Sequence, residues 1–270
     1  MRVSAFYFIK DEWPWIAYSL ASMDGHVDEI VVFDEEPGHD LSKFPVSKSR
    51  AFRYFLHKPI DVMNQKQYEG LFNDCLDACA GDWLLWLHAD MVAYNAEILK
   101  SEIGRVQKAH PDAVHMSIRL KSFVKDLEHT WAGGGRKTEW PMIVRNGFGL
   151  HYHGAYGHPT EGFYFRDITG ETHEDLWSTR TPYPIYRTNF RVAHFCEMKP
   201  RQRREEKMKR VLINQGVGKN RLDGVAMIHP RVSLEPNAPM GFRIVKVGKA
   251  ALPEVFRTFD FGAPERADDD

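Results

Sequence analysis

Val3-Ser-Ala-Phe-Tyr-Phe-Ile-Lys-Asp-Glu12, followed by Val27-Asp-Glu-Ile-Val-Val-Phe-Asp34, is the part of the chain from which the fold can be read. Val3–Ile9 is an apolar, aromatic run of strand length that stops on charge. Asp11 ahead of Trp13-Pro14 reads as a helix N-cap with proline in the first turn. Ile16, Ser19, Leu20 and Met23 then recur at helical spacing, and Asp24-Gly25 closes that helix. Residues 29–33 form a second buried strand that ends at Asp34. Strand, helix and strand with short connections make a right-handed βαβ unit, so the two strands are expected to lie parallel.

Further along, residues 35–47 are rich in Pro, Gly, Asp and Ser and read as a loop. A second unit begins near Gln67. Tyr68, Leu71, Phe72, Cys75, Leu76 and Cys79 follow an i, i+3, i+4, i+7 pattern, which is an amphipathic helix ended by Gly81. Residues 83–87 (Trp-Leu-Leu-Trp-Leu) are apolar on both faces, as a central parallel strand requires, and run into His88-Ala89-Asp90. A helix over 96–109 and a strand over 113–120 complete an alternating α/β half. After Lys121 the texture changes to a Gly133-Gly134-Gly135 loop, a His- and Tyr-rich stretch over 140–165 and a charged helix over 199–212. Asp268, Asp269 and Asp270 read as a solvated tail.

The 270 residues suffice for one large α/β domain, and no internal repeat divides them. Lysine plus arginine (36) balance aspartate plus glutamate (37), so no global field argues for nucleic acid or membrane. Three cysteines make no disulfide framework; Cys75 and Cys79, one helical turn apart on an apolar stripe, read as buried thiols. The N-terminus enters a strand at once without a signal-peptide cleavage region, and no apolar run approaches the ~20 residues of a membrane span. A cytoplasmic location is the expectation.

In open parallel sheets, ligands bind beyond the carboxyl ends of the strands. Three polar features fall there: Lys10-Asp11-Glu12, Asp34 and His88-Ala89-Asp90. Carboxylates are costly to desolvate, and their recurrence at strand tips points to a ligand or metal that compensates them. The same residues resemble glycosyltransferase family 2 and its relatives. In those chains a strand ending in Lys-Asn-Glu leads through a helix to a strand ending in aspartate. Asn73 and the segment Gly81-Asp-Trp-Leu-Leu-Trp-Leu-His-Ala-Asp90 are similar to that family's route to its Asp-x-Asp motif. The likeness is good over the first ~95 residues, by which the polypeptide passes two βαβ units.

The resemblance implies a GT-A fold: a central, mostly parallel, Rossmann-like sheet with helices on both faces. Its domain would span 1–215, with a nucleotide-sugar half over about 1–120, an acceptor half over about 121–215, and 216–270 as a C-terminal extension. It implies a sugar donor bound as a nucleotide diphosphate, with uridine as the first expectation. Phe8, Lys10, Glu12, Asp34, Asn73 and His88 would frame the donor, Asp34 accepting a hydrogen bond from the base. Asp90 keeps the metal-ligating position of the motif, whereas His88 replaces its first aspartate. Imidazole suits manganese better than magnesium, which makes Mn2+ the expected ion and Mg2+ the alternative.

In the second half, Trp140-Pro-Met-Ile-Val-Arg-Asn146 with His158-Pro-Thr-Glu161, and Arg191-Val-Ala-His194 ahead of the basic stretch 199–210, resemble later elements of the same superfamily. His194 is the implied third metal ligand. An inverting transferase needs a carboxylate to deprotonate the acceptor hydroxyl. Asp175 is the first choice for that base, with Glu174 beside it and Glu161 as a competitor. Gly133 to Arg136 could close over the donor phosphates.

Other readings remain open. The acceptor is unspecified (glycan, small molecule or protein), and a hydroxylated base in DNA would make use of the basic helix. His88 also admits a non-catalytic module that binds nucleotide sugars without efficient metal use. His151 and His153, sharing one strand face with His158 and Glu161 nearby, would suit a metal oxygenase barrel. The alternating α/β units that precede them argue against that barrel.

Overall fold

The computed structural model describes residues 1–10, 12–35, 43–46, 51–61, 64–124, 127, 129–132, 139–154, 162–165, 183–197, 243–247 and 252–258. The opening unit is as the sequence indicates. Strand β1 (Val3–Ile9), helix α1 (Trp15–Met23) and strand β2 (Glu29–Asp34) form a parallel βαβ, with Ser4 opposite Glu29 and Ile9 opposite Asp34. Helix α1 starts at Trp15, directly after Pro14, with no side-chain cap. Asp11, the expected cap, lies outside the described residues. Asp24 is the C-cap and Gly25 turns the chain at a φ of 82°, a left-handed conformation that costs glycine nothing.

One strand enters that was not expected. β3 (Ala51–Leu56) runs parallel to β2 at the edge of the sheet, pairing Glu29 with Ala51 and Asp34 with Leu56. Its residues are only half-buried or exposed, so its apolar pattern is weak. Helix α2 (Gln65–Ala78) is capped by the Asn64 side chain, which accepts from the Gln67 amide. It begins two residues before the expected start. Strand β4 (Trp83–Trp86) is buried throughout and pairs parallel with β1.

Helices cover both faces of this half. Phe6 and Phe8 of β1 pack on Phe72 of α2, at ring centroid distances of 6.5 and 4.3 Å. Tyr7, which points the other way, meets the Ser19 hydroxyl of α1 at 3.4 Å. Buried Glu29 takes bonds from the Ser4 hydroxyl (2.5 Å), the Ala80 amide (2.8 Å) and the Arg53 guanidinium, locking β1, β2, β3 and the end of α2 together. Gly81 fits against that lock, because a Cβ there would stand 2.6 Å from the Ser4 amide nitrogen.

Beyond β4 the sheet is mixed rather than mostly parallel. Short β5 (Met91–Ala93) follows the 88–90 turn, and a 3-10 turn (Ala96–Ile98) leads into α3 (Leu99–Ala109). Strand β6 (His115–Val124) overruns the expected 113–120 span. β7 (His129–Ala132), β8 (Glu139–Arg145), the β9–β10 hairpin (Leu150–His153, Gly162–Phe165) and β11 (Ile185–Glu197) follow. β8 is antiparallel to both β4 and β6, and β11 is parallel to β6 but antiparallel to β5. With β12 (Arg243–Lys246) at one edge, these reversals give the order β12-β7-β6-β8-β4-β1-β2-β3, with β11 joining β6 to β5.

From the expected extension, β12 (Arg243–Lys246) pairs antiparallel with β7. Helix α4 (Val255–Thr258) sets Phe256 against Tyr18 and Phe195, in a second core with Trp15 and Phe123. No helix among the described residues is long and apolar enough to cross a membrane.

His115 opens β6 fully buried, edge-on to Phe165, and its ring nitrogens have no hydrogen-bond partner among the described residues. Burial pushes its pKa down from 6.5 to about 3. The unfolded chain therefore takes up a proton near pH 6.5 that the folded chain refuses until about pH 3. His115 thus costs no stability above pH 6.5 and erodes it progressively as the pH falls between those values. His115→Leu is expected to flatten the acid limb of a urea-denaturation series across that window; an unchanged slope would contradict the assignment.

Candidate metal and donor site

The 88–90 turn leaves the carboxyl end of β4 and is held from both sides. The Leu87 amide bonds to the Phe6 carbonyl (3.1 Å), and the Phe195 amide bonds to the Asp90 carbonyl (3.0 Å). Antiparallel pairing places His194 of β11 opposite Met91 of β5, so a residue far along the chain lands beside Asp90. The result is a cluster in which ligand atoms of His88, Asp90 and His194 all lie within 4.8 Å of one another. His194 Nε2 stands 3.7 Å from Asp90 Oδ1. Asp90 and His194 are buried, and His88 is half-buried toward solvent.

Two tryptophans wall this cluster. Trp86 packs on His88 at 4.9 Å, and Trp140 of β8 meets His88 at 5.9 Å and His194 at 5.4 Å. The sequence reading missed them as site residues, because an apolar strand gives a tryptophan no mark that separates a wall from a core. The donor set of two imidazole nitrogens and one carboxylate suits a divalent transition metal. Metal–ligand bonds of about 2.0–2.2 Å place neighbouring ligands roughly 3–4.4 Å apart, so the spacings found here need only a small contraction.

The other strand tips lie along the same edge. Asp34 is fully buried at the end of β2, where the Tyr54 hydroxyl donates to its Oδ2 at 2.6 Å. Burial, and then the Asp34 carboxylate, push the Tyr54 phenol well above its usual range, so it stays a donor. Lys10 is exposed and bridges to Glu35 Oε2 at 3.1 Å, tying the tips of β1 and β2. Glu12 is half-buried, its carbonyl accepting the Ile16 amide at the start of α1. Phe8 is packed into the aromatic cluster with Phe6 and Phe72.

Asn73 has a structural duty that the sequence did not reveal. Its amide nitrogen donates to the carbonyls of Glu69 (2.8 Å) and Tyr152 (3.1 Å), and its oxygen accepts the Tyr152 amide (2.8 Å). It thereby pins hairpin strand β9 to α2, where Tyr152 stacks on Phe72 at 3.8 Å. On the same hairpin, His151 Nδ1 lies 3.0 Å from the Gly149 carbonyl and His153 Nδ1 lies 2.7 Å from Glu69. Among the described residues the group that could hold a metal is the His88–Asp90–His194 cluster. The hairpin belongs to an α/β fold and not to the barrel of the oxygenase reading. Glu161, Glu174, Asp175, His158, the Gly133–Arg136 loop and the basic stretch lie outside the described residues. Cys75 and Cys79 are free and buried, and burial pushes both thiols far above their usual range.

No protein-family model matches the sequence, and no curated protein matches it. Solved structures do show similarity. One is S. aureus TarS, with a TM-score of 0.45 and 12% identity over 83% of this chain and 42% of that one. The chain thus spans about two-fifths of that TarS chain. TarS residues 1–349 in complex with UDP-GlcNAc give 0.45 and 13%, over 83% of this chain and 70% of that one. Glucosyl-3-phosphoglycerate synthase from Mycobacterium tuberculosis, in complex with Mg2+ and UDP, gives 0.42 and 15%, over 80% of each chain.

Replacing Asn73 with Ala removes three hydrogen bonds to backbone and leaves the Tyr152 amide without its acceptor. The expected cost is about 1–3 kcal/mol in urea denaturation. Asn73→Asp keeps the acceptor and should retain part of that stability. A neutral Asn73→Ala would contradict this structural duty.

Proposed function

We propose that the chain is a glycosyltransferase that moves a sugar from a nucleoside diphosphate, uridine diphosphate first among them, to an acceptor hydroxyl. The observation that carries this reading is the convergence of His88, Asp90 and His194 within 4.8 Å at the carboxyl edge of the sheet. It coincides with the sequence likeness to family 2 at Asp34 and Asp90. The three residues would hold a divalent cation, with Mn2+ favoured over Mg2+ by the two imidazoles. Bound there, the cation supplies neutralisation of the charge that develops on a leaving diphosphate.

The chain's own groups supply the rest. Asp34, kept in place by the Tyr54 hydroxyl, accepts a hydrogen bond from the base. Lys10, paired with Glu35, lies at the neighbouring strand tip and would turn to the donor phosphates, and Trp86 with Trp140 limits water around the imidazoles. Asp175 deprotonates the acceptor hydroxyl, with Glu174 or Glu161 as the alternative base, and the sugar inverts at its anomeric centre. The acceptor is left as a class: a hydroxyl of a glycan, small molecule, protein or modified DNA base. Buried free thiols suit a reducing cytoplasm.

A thermal-shift panel of nucleotide sugars with and without Mn2+ tests the reading. A uridine diphosphate sugar should raise the Tm only when metal is present, and Asp90→Asn should abolish that rise. Asp175→Asn should keep the binding shift and lose sugar transfer. Nucleotide stabilisation indifferent to both EDTA and Asp90→Asn would contradict it.

A further inference from the structure

Strands β6 and β11 lie side by side and parallel, and their continuous register pairs Arg119 with Arg191, Lys121 with Ala193 and Ser122 with His194. Neighbours in such a register share a face, and successive residues alternate. Arg119, Lys121 and Arg191 therefore stand together on the side of β11 opposite to His194. Stacking of Phe123 on Phe195 at 4.9 Å, the next pair on that side, agrees with this placement. Arg119 and Arg191 are exposed, and the Lys121 ammonium lies 5.6 Å from the centre of the Phe123 ring.

Two guanidinium groups directly opposite one another on adjacent strands repel, and a third cation two residues along adds to the cost. Among the described residues no carboxylate is within ion-pair distance of any of the three. Glu139 is the register neighbour of Arg119 on β8, but its carboxylate is taken by Arg187 at 2.8 Å. Burial and then the Arg191 charge hold the Lys121 pKa below its ordinary value, in keeping with an excess of positive potential.

We propose that Arg119, Lys121 and Arg191 form a binding surface for a phosphate-bearing anion, separate from the His88–Asp90–His194 cluster. Two strands about 4.8 Å apart, with residues roughly 6.6 Å apart along each, offer donors at the spacing of one or two linked phosphates. The occupant is a phosphorylated small molecule or terminal phosphate group, recognised by charge and not by sequence. Its binding would offset the mutual repulsion of the three cations.

Inorganic pyrophosphate is the probe, titrated at constant ionic strength in EDTA so that no metal links it to the cluster. The wild-type chain should gain thermal stability with pyrophosphate beyond the same ionic strength of chloride, and Asp90→Asn should gain equally. The double variant Arg119→Gln, Arg191→Gln should bind at least about tenfold more weakly by calorimetry. Without anion it should melt above the wild type, since the repulsion is gone. A double variant that keeps the pyrophosphate shift, or a wild type that shows none, overturns the proposal. So does a single-stranded oligonucleotide that binds this face while pyrophosphate does not, which would make it a nucleic-acid surface. Failure of metal-dependent sugar transfer would leave this result untouched, and the reverse also holds.

Discussion

The arrangement depends on the register between β5 and β11. Met91 opposite His194, with the Phe195 amide on the Asp90 carbonyl at 3.0 Å, brings an imidazole and a carboxylate within 3.7 Å although they stand 104 positions apart in sequence. A slip of one residue would turn His194 to the other side of its strand and dissolve the cluster. The surroundings defend that register. Trp15, Phe195, Phe123 and Phe256 pack behind β11, and Ser19 of α1 donates to the Met91 carbonyl at 2.5 Å. The C-terminal helix α4 is thereby coupled to the site through Phe195, the residue next to His194. Packing and chemistry share one strand, so loosening the first should be felt in the second.

Much of this was legible where the physics is local. A buried apolar run ending in charge marks a strand tip, and β1, β2 and β4 all carry that mark, so Asp34 and Asp90 could be found without coordinates. His194 is implied only by likeness to the family, and it is pairing with β5 that sets it beside Asp90. What could not be read is non-local. β3 is an edge strand whose half-exposed residues lack a clean alternation. The antiparallel insertion of β8 between β4 and β6 depends on pairing energies spread over three strands. Asn73 and Trp140 show the same limit for side chains: each is identified by what faces it across the fold, Tyr152 in one case and two imidazoles in the other.

The cluster also differs in character from a pair of carboxylates. His88 in place of an aspartate removes one negative charge and adds a nitrogen donor, so under the proposed reading the site would attract a cation less by net charge and more by coordination geometry. Half-buried His88 is the member of the cluster open to solvent, whereas Asp90 and His194 are enclosed. A cation entering past His88 would meet two ligands already fixed by backbone register. Such preorganisation lowers the cost of ordering at the moment of binding.

Cobalt substitution reads this central claim directly. Co2+ added to the nucleotide-free protein should give a visible absorption band from imidazole and carboxylate ligation. His88→Ala, Asp90→Asn and His194→Ala should each weaken or reshape that band while the chain stays folded by circular dichroism. Three folded variants with the wild-type spectrum, or a wild-type protein that leaves cobalt as the free aqueous ion, would contradict the account.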